Sequence, residues 1–203
     1  MRETPVFSSQ ALNRFLGCEV IFKGEHLQRG GTFKARGATN MVYAQQLSEI
    51  EQGVCTHSSG NHGAALARAA HARGVASYIV VPKNASPAKR RLVVHFGGRL
   101  IECDSNLAAR QKTLQAVAAR TGALYVPPFE APLVIAGQGT ALLELKRQTE
   151  RLDAVVVPVG GGGLLAGSCL VQDDLAIFGA EPVGADDAAR SFQTGKRVVE
   201  QTP

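Results

Sequence analysis

No apolar run in this 203-residue sequence approaches the roughly 20 residues that a membrane-spanning helix requires. The first ten residues, MRETPVFSSQ, also lack the apolar segment of a secretory signal. Together these two absences predict a cytoplasmic protein with no membrane partner.

Paired cysteines are missing as well. The four cysteines lie far apart in the chain, at positions 18, 55, 103 and 169, and form no CxxC motif. Without secretory features, this spacing favours free thiols over a disulfide framework. A metal site from Cys55, His57 and His62 is disfavoured, because these residues straddle a strand and a glycine turn without a known ligand spacing.

A concentrated basic patch is also absent, although the net charge is +5. The only dense basic run is KRR at 89–91, on a predicted helix with no interleaved aromatic residues. This pattern favours a solvated helix face and predicts no nucleic-acid partner. The hydrophobic fraction of 45% and the charged fraction of 19% are ordinary for a globular protein.

What the sequence does contain is a regular alternation of short apolar strands and amphipathic helices. The segments GVCTH, ASYIVVP, RLIECD and ALYVPP read as strands separated by helices, which predicts an α/β protein with a parallel sheet. The pattern restarts after the proline-rich segment 125–132. We predict a small α/β lobe at 43–130 inserted into a larger lobe, 1–42 plus 131–203, with ligands bound in the cleft between them.

The segment QRGGTFKARGAT places two cations at the start of a predicted helix. Thr32 is the predicted N-cap, so Lys34 and Arg36 fall in the first turn, where the helix dipole disfavours cations by about 0.3–1 kcal/mol. Either tertiary contacts override this preference or Lys34 is not an ordinary ammonium. The dipole and burial both lower a lysine pKa, and a neutral amine forms Schiff bases with carbonyls.

Four consecutive glycines, Gly160 to Gly163, follow the strand VVVPV and precede a helix. Without Cβ atoms, several backbone N–H groups can approach one anion, so we predict a phosphate-binding loop. Tight packing is the plain alternative, and the absence of GK[ST] excludes a Walker loop. A dinucleotide site is a further alternative, because GGGLLA at 161–166 satisfies GxGxxA and Glu181 follows about 20 residues later.

The turn THSSGNHG carries more polar side chains than helix capping needs. Ser58, Ser59, Asn61 and His62 fall within five positions, and their clustered donors suit a carboxylate ligand. A reactive amine, a phosphate loop and a carboxylate loop together fit one cofactor, pyridoxal 5′-phosphate, which is an aldehyde that carries a phosphate and binds amino acids.

Four motifs then resemble those of the fold-type II pyridoxal-phosphate enzymes, in particular the serine/threonine dehydratase and serine racemase group. They are GGTFKARGA, SSGNHG, AGQGT and GGGG, in the family's order, and the similarity runs from near Thr4 to Pro203. The dinucleotide alternative explains neither Lys34 nor the SSGNHG turn. The resemblance implies a two-lobed, three-layer αβα fold with parallel sheets, similar to tryptophan synthase β.

The resemblance also implies residue roles. Lys34 holds the cofactor and then removes the substrate α-proton, while Phe33 packs beside the ring and Asn61 bonds the 3′-oxygen. The phosphate is bound by main-chain N–H groups of Gly160, Gly161, Gly162, Gly163 and Leu164. The substrate carboxylate is received by Ser58, Ser59, Asn61 and His62. The implied reaction is β-elimination of a hydroxy amino acid, giving a 2-oxo acid and ammonia, as in threonine/serine dehydratases.

Ser59 keeps a second activity open. In serine racemases a serine at this place faces the side of the cofactor opposite the lysine, and inversion needs an acid and a base on opposite faces. Serine racemase or hydroxyaspartate dehydratase is therefore the alternative, although PPFEAPLVIAGQGT is more similar to dehydratases.

A metal site is a further hypothesis. In metal-dependent relatives, the positions of Glu181, the Ala185 carbonyl and Asp187 bind Mg²⁺ or Ca²⁺, and oxygen ligands suit such hard cations. The plain alternative makes Asp187 an ordinary acid of a helix first turn.

Two departures from the family pattern are expected to matter. The segment between the glycines and Glu181 is shorter than in relatives, so the helix there is predicted to lack about a turn. The chain also stops at EQTP, where relatives continue, which predicts a C-terminally truncated large lobe. An inactive homologue or binding module is the resulting alternative, and a homodimer is expected for a complete protein.

Overall fold

The computed structural model describes residues 1–58 and 60–198. The strands are β1 (Val6–Ser8), β2 (Ile21–Lys23), β3 (Val54–His57), β4 (Ser77–Pro82), β5 (Arg99–Cys103), β6 (Leu124–Tyr125), β7 (Ala154–Pro158) and β8 (Ala176–Ala180). The α-helices are α1 (Gln10–Leu16), α2 (Lys34–Ala44), α3 (Asn61–Ala72), α4 (Pro87–His95), α5 (Leu107–Thr121), α6 (Pro132–Gln148), α7 (Gly163–Cys169) and α8 (Asp187–Thr194). None of these helices is long and apolar enough to cross a bilayer.

The central feature is a four-stranded sheet in the order β5-β4-β3-β6, with every neighbouring pair parallel. Successive side chains of a strand point to opposite faces. Ile79 accordingly joins an apolar cluster with α3 and α4, whereas Val80 joins another with α5. Both faces of the sheet are therefore covered, and the predicted parallel α/β class is confirmed.

A second parallel pair, β7 and β8, is much less covered. Val156 lies opposite Phe178 in the register, and these side chains are 68% and 57% exposed. The four-stranded sheet falls within 43–130 and the β7–β8 pair within 131–203. The division into two lobes stays a prediction.

The N-terminal segment adds an antiparallel pair that the sequence analysis missed. Strand β1 pairs with β2, with Val6 opposite Lys23. The strand predicted in EVIFK is confirmed as β2, but β1 has only three residues, which is too few to show an alternating pattern.

The segment AGQGT lies on α6, where this helix crosses α2 at very short range. A Cβ on Gly137 would lie 2.6 Å from the Cα of Gly37. The side-chain oxygen of Gln138 also accepts a hydrogen bond from the Gly37 N–H at 3.1 Å. Glycines on both helices thus fix α2, which begins at Lys34, against α6.

The start of α2 and the end of α7 were both predicted from the sequence, and both helices lie next to the proposed site. The predicted N-cap at Thr32 is wrong, because α2 begins at Lys34 after Phe33, which already has helical backbone angles. Thr32 Oγ1 accepts only a long bond, 3.4 Å, from the Lys34 N–H. Helix α7 has seven residues and ends at Cys169, in line with the short helix expected there.

Candidate active site

Lys34 points from the start of α2 into the protein. Its Nζ donates a hydrogen bond of 2.7 Å to the Pro128 carbonyl and lies 5.4 Å from the Phe33 ring centre and 6.0 Å from that of Phe129. Burial lowers the pKa of Lys34 to about 8. Among the described residues, no carboxylate forms an ion pair with this amine. With a pKa of about 8, roughly a tenth of this amine is neutral at pH 7, far more than in an ordinary lysine.

Arg36, the other cation in the first turn of α2, is paired with two carboxylates. Its side chain is almost fully buried and forms ion pairs of 2.7 Å with Glu25 and 2.6 Å with Glu144. Burial alone would raise the pKa of Glu144, but hydrogen bonds from Arg36 and Lys23 lower it to about 2. Tertiary contacts thus override the helix dipole at Arg36, whereas Lys34 is left with a carbonyl.

The glycine loop presents free donors to a cavity of about 670 Å³, which Gly160, Gly161 and Gly162 line. In residues 1–58 and 60–198, no hydrogen bond uses the backbone N–H groups of 160–164. Gly162 has φ +80°, a left-handed conformation that side chains disfavour. A Cβ on Gly160 or Gly162 would meet no atom within 4 Å. The loop therefore has the free N–H groups and the space that an anion requires.

Phe129, which belongs to no sequence motif, connects the amine to the glycine loop. A Cβ on Gly161 would overlap the Phe129 ring, which also lines the cavity. Lys34 itself is not among the cavity residues. Tight packing thus explains Gly161, while Gly160 and Gly162 face open space. In the sequence, the proline-rich segment 125–132 that contains Phe129 indicates only a boundary between the two predicted lobes.

The SSGNHG turn lies between β3 and α3, at the carboxyl end of the four-stranded sheet. The Ser58 N–H donates to the Val80 carbonyl at 3.0 Å, and its hydroxyl accepts a bond from the Gly60 N–H at 3.2 Å. Asn61 begins α3, is exposed, and makes no side-chain hydrogen bond within the described part of the chain. Ser59, predicted as a catalytic and substrate-binding residue, lies outside the described residues.

His62 is predicted to bind the substrate carboxylate, and the fold buries its side chain. It is 3% exposed, and its Nε2 lies 3.1 Å from the Val126 carbonyl. Burial lowers its pKa to about 4, so the ring is neutral, and Nε2 must carry the proton because a carbonyl only accepts. The buried Nδ1, which has no partner among the described residues, is then an acceptor. The protonated ring nitrogen is thus engaged with Val126, and the role of His62 in binding the substrate carboxylate stays a prediction.

Further titratable side chains lie near this turn, and no sequence motif marks them. Burial lowers the pKa of His57, and the nearby Arg110 lowers it further. The Nε of Arg110 is buried and makes no hydrogen bond within residues 1–58 and 60–198. Lys89, on α4, lies against Gly60. These residues come from separate elements without a common motif, so only the fold brings them together.

The predicted metal ligands lie near α8. The Glu181 carboxylate accepts hydrogen bonds from the N–H groups of Ala188 at 3.4 Å and Ala189 at 2.8 Å, so it caps this helix. Asp187 lines the same cavity as the glycine loop. Within the described part of the chain, no three His, Cys, Asp or Glu side chains form a group that could hold a metal ion.

Comparison with known proteins decides the family. The family described as pyridoxal-phosphate dependent enzyme matches residues 1–203. The chain belongs to this family. It is 44% identical over 207 residues to the beta-hydroxyaspartate dehydratase of Paracoccus denitrificans, and 42% identical over 207 residues to the serine racemase of Dictyostelium discoideum. Each alignment covers 100% of this chain, and 66% and 64% of the respective relative.

Solved structures of the family have the same fold. Maize serine racemase superimposes with a TM-score of 0.96 at 40% identity, covering 98% of this chain and 62% of that protein. The crystal structure of serine racemase from Dictyostelium discoideum gives 0.91 at 42% identity, covering 96% and 65%. A fungal L-serine ammonia-lyase from Rhizomucor miehei gives 0.87 at 26% identity, covering 99% and 66%. The chain thus spans less than two thirds of the length of the curated relatives that it matches.

The residues of this site fit the cofactor of the family, pyridoxal 5′-phosphate. The N–H groups at 160–164, which make no hydrogen bond to another described residue, are the donors that a phosphate needs. Lys34 supplies an amine that burial keeps partly neutral. One aromatic ring, Phe129, contacts the glycine loop and lies 6.0 Å from that amine. An amine and an anion site close to each other are what an aldehyde phosphate requires.

Proposed function

We propose that this chain binds pyridoxal 5′-phosphate through Lys34 and the glycine loop, and that it forms the site of an amino-acid ammonia-lyase of the threonine/serine dehydratase type. The observation that carries the proposal is the desolvated amine of Lys34, which bonds a carbonyl and is joined to the loop by Phe129. The activity, the substrate and the homodimer expected from the sequence are proposals for the whole protein.

In this proposal each residue of the site has its own role in the reaction. When bound, the cofactor supplies an electron sink for the substrate. Lys34 accepts and returns a proton at Nζ, and a pKa near 8 suits both directions near neutral pH. Ser58 and Asn61 orient the substrate carboxylate, and the N–H groups of the glycine loop hold the phosphate. Phe129 helps to exclude water between the two.

Racemase or hydroxyaspartate dehydratase activity stays the alternative, and the relatives named above support it. It depends on Ser59, which the described residues do not include. A Ser59→Ala variant separates the two reactions, because elimination needs a base on one face whereas inversion needs groups on both. Loss of D-isomer formation with retained 2-oxo acid production would support a racemase role for Ser59.

Chemical trapping tests the cofactor assignment. The chain is incubated with pyridoxal 5′-phosphate, reduced with borohydride, and mapped by peptide mass spectrometry. We expect the pyridoxyl group on Lys34, no label in Lys34→Ala, and unchanged labelling in Lys112→Ala, a matched exposed lysine on α5. Labelling spread evenly over surface lysines would contradict the proposal.

A binding module without turnover is the second candidate, and the exposed pair Val156 and Phe178 favours it, because β7 supports the glycine loop. Specific labelling of Lys34 without release of a 2-oxo acid from L-serine or L-threonine would identify this case.

The Mg²⁺ or Ca²⁺ site at Glu181, Ala185 and Asp187 stays a prediction, as does the cytoplasmic location. Added Mg²⁺ or Ca²⁺ should raise the melting temperature of the chain, and Asp187→Asn should abolish that rise. An equal rise of the melting temperature in Asp187→Asn would contradict the metal site.

A further inference from the structure

One short segment, residues 126–129, follows β6 and contacts three separate parts of the proposed site. The carbonyl of Val126 lies 3.1 Å from Nε2 of His62, which belongs to the SSGNHG turn. Two residues later, the Pro128 carbonyl accepts a hydrogen bond of 2.7 Å from Nζ of Lys34. The next residue, Phe129, packs against the glycine loop. Segment 126–129 therefore links the turn, the amine and the loop.

Phe129 fits against the glycine loop with its main chain as well as its ring. A Cβ on Gly161 would lie 2.2 Å from Cδ1 of the ring. A Cβ on Gly163 would lie 2.9 Å from the Phe129 carbonyl oxygen and 3.0 Å from its Cα. The loop thus follows the backbone position of Phe129, because no space is left between them.

The backbone of segment 126–129 is stiff. The rings of Pro127 and Pro128 hold φ at about −65°, and each proline also restricts the residue before it. The start of the segment is anchored, since Val126 is fully buried and its N–H donates to the Cys55 carbonyl of β3 at 2.8 Å. The contacts to Lys34 and to the glycine loop come from adjacent residues of this stiff backbone, so their separation is held nearly constant.

A constant separation between an amine and an anion site favours a ligand that carries both matching groups. Pyridoxal 5′-phosphate is such a ligand, because its aldehyde condenses with an amine, with loss of water, and its phosphate binds N–H donors. When one molecule engages two sites, the second contact forms at an effective concentration that depends on how well the separation matches the ligand. Pyridoxal, which has no phosphate, gains nothing from this match.

We propose that segment 126–129 is a spacer that holds the Lys34 amine at a fixed distance from the glycine loop, with Phe129 as its positioning residue. The spacer selects pyridoxal 5′-phosphate over aldehydes that lack a phosphate. The inference rests on the proposed function, because Lys34 and the glycine loop must bind the two ends of one cofactor. It deepens that function by assigning the selectivity to the separation of two contacts rather than to either contact alone.

Three ligands separate the spacer from the two sites that it joins. Pyridoxal reports on the amine alone, inorganic phosphate on the glycine loop alone, and pyridoxal 5′-phosphate on both together. The measurements are the initial rate of borohydride trapping of pyridoxal on Lys34, the phosphate affinity by phosphorus NMR titration, and the pyridoxal 5′-phosphate affinity by absorbance titration. They are made in wild type, Phe129→Ala and Pro127→Gly.

The control variant is Phe15→Ala, because the Phe15 ring is 83% exposed on α1. Circular dichroism verifies that each variant is folded. Pro127→Gly loosens the backbone and leaves the side chains of Lys34 and Phe129 in place, so it tests the spacer even where Phe129→Ala does not fold.

We expect Phe129→Ala to weaken pyridoxal 5′-phosphate binding by about tenfold, while the pyridoxal trapping rate and the phosphate affinity change by less than about twofold. Pro127→Gly should weaken pyridoxal 5′-phosphate by about threefold with the same selectivity, and Phe15→Ala should match wild type. A merely structural role for Phe129 would lower all three measurements together.

Equal losses for all three ligands in both variants, or no loss for pyridoxal 5′-phosphate, would overturn the spacer. Wild type that binds pyridoxal 5′-phosphate no more tightly than pyridoxal would overturn it too, and would leave the attachment at Lys34 standing. Wild type in which neither aldehyde is trapped on Lys34 would remove the proposed function and this inference with it.

Discussion

The two parallel sheets of this protein carry the two loops of the proposed site under very different conditions. Val80, in the four-stranded sheet, is fully buried, whereas Val156, in the β7–β8 pair, is 68% exposed. Both strands belong to similar strand–turn–helix units. The carboxylate loop after β3 thus lies on a covered sheet, and the glycine loop after β7 lies on a pair with one open face.

A local strand–turn–helix motif therefore does not by itself determine the local stability of the loop that it contains. Parallel sheets are normally covered on both faces, because their strands are apolar on both sides. The pair β7–β8 satisfies this condition only in part, since Phe178 is also exposed. We therefore expect local unfolding to occur more readily around the glycine loop after β7 than around the SSGNHG turn after β3.

The largest effect is expected at Arg36, which ties α2 to Glu144 on α6 and to Glu25. Arg36→Met removes the cation that pairs with Glu25 and Glu144 and leaves two carboxylates close together. The free energy of unfolding should fall by about 3–5 kcal/mol, measured by urea denaturation. Lys23 still pairs with Glu144 at 2.9 Å in this variant, whereas Glu25 has no other ion pair among the described residues. Restored stability in Arg36→Met combined with Glu25→Gln would therefore assign the loss to the unpaired Glu25, and an unchanged midpoint in Arg36→Met would contradict the network.

A matched pair of valines compares the sheets directly. Val80→Ala should cost about 2 kcal/mol of unfolding free energy, because a buried side chain leaves a cavity. Val156→Ala should change it by less than about 0.5 kcal/mol, since the side chain already contacts solvent. Similar losses in the two variants would mean that the face of β7–β8 is covered in solution.

Amide hydrogen exchange compares the local stability of the two parallel sheets without a mutation. Amides of β4 should exchange at least about tenfold more slowly than those of β8, a difference of about 1.4 kcal/mol in opening free energy. Addition of pyridoxal 5′-phosphate should slow amide exchange in the glycine loop after β7 more than it slows amide exchange in β4. Equal protection of both sheets would remove the proposed difference in local stability.

The smallest effect concerns Lys34 and pH. Its folded pKa of about 8 lies below the ordinary 10.5, so the native state is penalised for holding a proton that the unfolded chain holds freely. Lys34→Met should therefore stabilise the cofactor-free chain at pH 7, by less than about 1 kcal/mol after solvent screening. The gain should shrink as pH rises from about 8 to 10.5, and a constant gain in thermal melts would indicate a packing effect instead.

Much of this architecture was predictable because it depends on local patterns. The helix that ends at Gly17 and the one that ends at Gly122 have left-handed glycines at these positions, as a C-terminal glycine predicts. The glycine loop and the SSGNHG turn were found from spacing alone. Strand β1 escaped notice because three residues carry no period, and the Thr32 cap was wrong because Phe33 already adopts helical angles.

The partners of the site residues were not predictable in this way. Glu144 lies 108 positions from Arg36, and the carbonyl of Pro128 lies 94 positions from Lys34. His62 reads as a polar turn residue in the sequence, but the fold buries it against Val126. Phe129 has no motif of its own, and its role follows only from its contact with Gly161.

Local sequence patterns predicted the order of the strands and helices apart from β1, because periodicity, glycine runs and helix ends depend on neighbouring residues. They also led to the two proposed ligand loops and to Lys34 as the proposed reactive amine. Only the tertiary structure decided which first-turn cation is neutralised and which is left with a carbonyl. It also decided that the His62 ring is buried against the Val126 carbonyl. Charge pairing and desolvation depend on atoms brought together from distant parts of the chain, and no local pattern specifies them.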